Sequence, residues 1–186
     1  MKKIKFRLFA IAMVAIIFSM LTQGTLAFYT TVGQANNVVT SGNIQFIIHE
    51  KQSDGSDFPE EGIPVMPGQV VGKIVTIESA CEHPFYLRVN LVSGVSGKDL
   101  SAKDCLGIDI DTKNWILKDD GFYYYIDIVD PGETTKPFFN QVEIIGDKVD
   151  NDFIGSVLTL TVSTQAVQSE NNPAENAWEA LGWPAD

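Results

Sequence analysis

The sequence predicts an all-β fold, an antiparallel jelly roll or β-sandwich preceded by a leader helix and closed by a short C-terminal helix. Three observations carry this. Apolar residues recur at every second position in several stretches, the spacing of strands that turn one face to a core. Turn formers separate those stretches at Asp54-Gly55, Met66-Pro67-Gly68, Asp120-Gly121, Asp130-Pro131-Gly132 and Gly146-Asp147. No internal repeat or domain-sized linker interrupts the series, and many short strands so punctuated form a sandwich or jelly roll.

The chain opens on a leader. Lys2, Lys3, Lys5 and Arg7 are basic, Leu8 to Leu21 is apolar apart from Ser19, and Thr25-Leu26-Ala27 is a small exit. This is the layout of a secretory signal. Its apolar core of roughly 14 residues is short of the ~20 that span a bilayer. Cleavage is expected between Ala27 and Phe28, which divides the chain into a signal peptide (1–27), an N-terminal extended segment (28–42) and one β domain (43–186). No membrane span remains after cleavage.

Strands are expected where the alternation is regular. Ile44, Phe46 and Ile48 share one parity. So do Val71, Val75 and Ile77 within residues 68–78, and Phe85, Leu87, Val89 and Leu91. Phe122, Tyr124, Ile126 and Ile128 form another set, residues 141–145 a shorter strand, and Leu158, Leu160 and Val162 the last. Period two with one apolar face marks antiparallel strands over a core. Residues 50–62 are polar and acidic, and read as an exposed loop. Residues 172–182 read as a helix: Asn172 to cap it, Pro173 in the first turn, Glu175 on the dipole and Gly182 to end it. Ala177, Trp178 and Leu181 would be its apolar side.

Charge narrows the function. The leader holds four of the 13 basic residues and none of the 24 acidic ones, so the remaining 159 residues carry a net charge of −15. A chain this acidic lacks the basic face that nucleic acid requires. Two cysteines, Cys81 and Cys105, could close a loop worth about 3 kcal/mol outside the cell, or remain as two thiols.

Catalytic motifs are sparse. His49-Glu50 has no second histidine at the spacing of a zinc-protease helix. His83 near Cys81 lacks two further ligands. There is no nucleophile elbow and no phosphate loop. The reading is therefore not an enzyme, with no catalytic residue and no cofactor. Asp147, Asp150 and Asp152 supply oxygen ligands of the kind calcium takes, in a spacing that does not match an EF-hand; a solvated acidic turn is the plainer reading. Among Tyr123, Tyr124 and Tyr125 one parity belongs to the core. The other would place two tyrosines outside, as a protein contact or sugar platform, unless ordinary cross-strand packing uses them.

Four stretches together carry a resemblance. They are "AFYTTVGQANNVVTSG" (27–42), "VMPGQVVGKIVTIES" (65–79), "DGFYYYIDIVDPGETTKPFFNQVEI" (120–144) and "LTLTVSTQAVQSENNPAENAW" (158–178). In this order they resemble the TasA/CalY (camelysin) family of secreted Firmicutes proteins. The resemblance covers most of the chain. It departs at Val38-Val39, where the family has Phe, and in the two cysteines. The resemblance implies a leader cut by a dedicated signal peptidase of the SipW type, a jelly-roll domain, and a place in the extracellular matrix or on the cell surface. It implies a biofilm-fibre subunit whose partner is itself, in a head-to-tail polymer, with an accessory matrix protein as a further partner. The N-terminal segment would be donated as a strand to the next subunit, with Phe28, Tyr29, Val32, Val38 and Val39 as donor residues. Two other readings stay open: a camelysin-like metal-dependent endopeptidase, and a monomeric surface binding module using the tyrosine face.

Overall fold

Two layers of β-strands enclose the main core in the computed structural model, which describes residues 28–31, 44–60, 62–96, 104–149, 153 and 156–184. The leader and the Ala27 side of the expected cleavage site lie outside the described residues. The all-β expectation holds.

The first layer is organised by its two longest strands. β6 (Phe85–Val95) and β11 (Val157–Gln168) pair antiparallel from Phe85 opposite Gln168 to Val95 opposite Leu158. β9 (Tyr123–Tyr125) and β8 (Trp115–Leu117) extend the layer on the β6 side. β1 (Phe28–Thr31) and β3 (Ile63–Val65) extend it beyond β11, giving the order β3-β1-β11-β6-β9-β8.

The second layer comprises two small sheets. β4 (Val70–Gly72), β10 (Gln141–Ile144) and β7 (Leu106–Ile108) form one; β2 (Phe46–Lys51) and β5 (Ile74–Ser79) form the other. They are continuous in practice. Only Lys73 separates β4 from β5, and its N–H donates to the Asn140 carbonyl at 2.9 Å. Residues 133–140 then run alongside β5, with Thr135 N–H donating to Ile77 O and Phe138 N–H to Val75 O. The expected strand over 68–78 is thus broken once, at the lysine.

The core forms because the alternation read from the sequence turns inward. Leu87, Val89, Leu158, Leu160 and Val162 meet Val75, Ile77, Phe138, Val142 and Ile144. Trp115, fully buried, lies 4.9 Å from the Tyr125 ring and 5.0 Å from Phe138. The expected turns hold at Gly55, Gly68, Gly121 and Gly132, all with positive φ, which glycine adopts without strain.

The C-terminal helix does not form. Only a 3-10 turn, Ala177–Glu179, interrupts an otherwise irregular strap. Asn172 does not cap a helix. Its side chain receives the Leu181 N–H at 3.2 Å and donates to the Leu181 carbonyl at 3.0 Å, so it clasps both ends of an arch. Side-chain amides that satisfy distant backbone in this way compete with helix formation. The strap covers the outer face of β6, β9 and β11 and builds a second small core from Tyr86, Phe122, Tyr124, Val167, Ala177 and Ala180.

This strap also explains the tyrosines. Tyr125 is buried in the main core and Tyr123 packs edge-on to Phe138 at 5.1 Å. Tyr124 and Tyr86 are buried beneath the strap. The sheet has apolar surface on both faces, so Tyr86, Tyr123, Tyr124 and Tyr125 form no exposed stripe.

Candidate functional site: a slot between two strands

β1 has strand neighbours on both sides. It runs antiparallel to β3, with Phe28 opposite Val65, Tyr29 opposite Pro64 and Thr30 opposite Ile63. It runs parallel to β11, with Tyr29 opposite Val157, Thr30 opposite Leu158 and Thr31 opposite Thr159. This is the one parallel pairing among the described strands. β1 itself begins at Phe28, the first residue after the expected cleavage point.

β1 therefore fills a two-sided slot. β3 has no other strand partner among the described residues. Its Val65 is fully buried, as is Leu158 across the slot. Buried backbone amides and carbonyls need partners, and an extended segment in this position serves both edges. Of the expected donor residues, Phe28 and Tyr29 lie in β1. Val32, Val38 and Val39 lie outside the described residues.

Lys73 is the unexpected member of the core. It occupies the inward parity shared by Val71, Val75 and Ile77, and is 2% exposed. Its Nζ stands 2.8 Å from Glu50 Oε2 and 4.3 Å from the centre of the Phe58 ring. Burial pulls its amine from 10.5 down to about 8, against the opposing pull of Glu50. Val71, Leu106, Val142, Ile144 and Leu160 complete the lining of a small apolar space around it. Of residues 50–62, read as an exposed loop, Glu50 and Lys51 instead end β2, residues 53–57 and Glu60 are exposed as expected, and Phe58 is driven into this space, with Gly62 buried beyond it.

Arg88 plays the corresponding part on the outer face. Its guanidinium donates to Gln165 Oε1 at 2.8 and 2.6 Å and to Tyr124 OH at 3.0 Å, and pairs with Asp120 at 3.4 Å. It stacks over Phe122 at 3.9 Å and Trp183 at 4.7 Å. Alternation alone placed Arg88 on the solvent face; the strap converts that face to interior.

The candidate disulfide is not formed. Cys81 and Cys105 are separate thiols. Cys81 follows β5 and donates to the His83 carbonyl at 3.1 Å. Cys105 is buried just before β7, at the far side of the second layer. Each histidine meets a glutamate: His49 with Glu78 at 2.6 Å and His83 with Glu170 at 3.0 Å. Asp147 is exposed in the 3-10 turn Gly146–Lys148, while Asp150 and Asp152 lie outside the described residues. Among the described residues, no group of three or more His, Cys, Asp or Glu side chains is arranged to hold a metal ion, and no helix is long and apolar enough to cross a membrane.

No family model, curated protein or solved structure matches the chain.

Proposed function

We propose that this protein is a secreted structural subunit of extracellular-matrix or cell-surface fibres, with a jelly-roll domain that assembles by donating its N-terminal strand to the next copy. One observation supports this above the others: the strand that begins at the expected mature N-terminus sits between β3 and β11 with a register to both. A slot that one chain fills with its own residues 28–31 fits the same residues of a second chain, because strand addition is read mainly by backbone hydrogen bonds. Donation from head to tail does not close on itself, so it yields filaments. The net charge of −15 opposes close approach of copies, which makes mild acid the condition favouring growth.

The test is electron microscopy of residues 28–186, fresh and after concentration at mildly acidic pH. Regular filaments are expected. A monodisperse monomer under every condition, with and without a candidate accessory protein, would remove the proposal.

A further inference from the structure

The two walls of the slot are held very differently. β11 is paired with β6 along its whole length and carries Leu158, Leu160 and Val162 into the core. β3 is three residues long, and Pro64 at its centre has no N–H to offer a neighbour. Among the described residues β1 is its only strand partner.

β3 is fastened instead at its two ends. On the far side is the turn Met66–Gln69. There Gly68 N–H donates to Ile144 O at 2.7 Å, and Gln69 Oε1 accepts from Met66 N–H at 2.8 Å. This turn lies so close to Gly146 that a Cβ there would stand 3.3 Å from the Gly68 nitrogen. On the near side is Phe58, buried under Lys73, with its N–H on the Glu50 carbonyl at 2.9 Å. The same loop rests on β4, where a Cβ on Gly72 would meet Ser53 Oγ at 1.8 Å.

We propose that β3 is a gate over the slot, hinged at the Met66–Gln69 turn and latched by Phe58 beneath Lys73, and that it lifts to let an extended strand leave or enter. The occupant is residues 28–31 of this chain or of a second copy. The purpose assigned to the gate rests on the strand-donation reading; the gate itself does not. Elements with few backbone partners open at the low end of the stability scale, and β3 is such an element while β11 is not. Phe58 links the latch to the slot because it is the last deeply buried side chain described before Val65.

Hydrogen exchange on the monomeric mature chain, at a concentration too low for assembly, tests this. Phe58→Ala removes the latch; Phe58→Leu is the milder form should the first not fold. Val129→Ala is the control, a buried site beside Phe85 at the opposite end of the sheet. The gate predicts that the amides of Ile63, Val65 and 29–31 exchange about tenfold faster or more in the Phe58 variants, without faster exchange at Leu87–Leu91 or Leu160–Val162. The control should leave the gate amides no faster than the rest of the core. Exchange that rises everywhere together, or nowhere, overturns the gate. Because the readout is on monomers, filaments without selective opening would sink the gate and spare strand donation. Selective opening in a chain that never forms filaments would do the reverse.

Discussion

Lys73 and Glu50 form an ion pair in the wall of the core, 2.8 Å apart, with the lysine 2% exposed. Burial is the largest influence on that amine, and it lowers its pKa from 10.5 to about 8. The sign follows directly. Between these values the unfolded chain holds the proton and the folded chain releases it, so the lysine's penalty on folding is full below pH 8 and fades as pH rises toward 10.5. The shift corresponds to about 3 kcal/mol. Stability to urea should therefore rise from pH 8 to 10. Above pH 10 the trend should reverse, because burial raises the hydroxyls of Tyr123, Tyr124 and Tyr125. Lys73→Met should be neutral or stabilising at pH 7 and should flatten the rise, since Glu50 keeps a solvent-facing side. A loss of several kcal/mol in that variant would show that the pair holds the fold together.

Arg88 should be irreplaceable by lysine. Its fork makes two bonds to Gln165 while its plane lies on Phe122 and Trp183, which an ammonium cannot do together. Arg88→Lys is expected to cost about 2–4 kcal/mol and to shift the tryptophan emission of the strap to the red. Unchanged emission and an unchanged midpoint in urea would contradict the role given to this side chain.

The thiols offer a direct check. Intact mass should match two reduced cysteines, and reductant should leave the melting temperature unmoved. Under native conditions Cys81, half-buried, should alkylate before buried Cys105. A mass two hydrogens lighter would restore the bridge.

Strand donation predicts sensitivity at single backbone positions. Thr30 stands opposite both Ile63 and Leu158, so Thr30→Pro removes an amide in a strand with neighbours on each side. Filament formation should be lost, while the antiparallel β6–β11 pair keeps its protection from exchange. A folded tag placed ahead of Phe28 should block growth as well. Filaments formed at the ordinary rate by either protein would refute donation.

The sequence showed the long strands and hid what covers them. β6 and β11 were legible because alternation persists over many residues. β1, β3, β7 and β8 are three or four residues long, too short for a period to emerge. Lys73 sat on the inward parity of Val71, Val75 and Ile77 all along, but its charge argued for solvent; only a partner 23 positions earlier, Glu50, makes its burial tolerable. Residues 172–182 carried good helix signals, yet Asn172 spends its amide on Leu181, a contact that spacing does not announce. The tyrosines were left open between packing and an exposed stripe, and the structure decides for packing because the strap makes a second interior. The slot itself was not legible, because strand neighbours this far apart in sequence leave no local pattern.

The slot has a consequence for the order in which the protein is made. Tyr29 is placed opposite Val157, 128 residues further along, and β6 waits for the same strand. Until the ribosome has delivered β11, the growing chain cannot complete its central sheet, and contacts so distant in sequence form slowly. A nascent protein built this way cannot close its central sheet until late in its synthesis. Under the secretion proposed above, that delay keeps the chain in a form that a translocation channel can thread until it is whole.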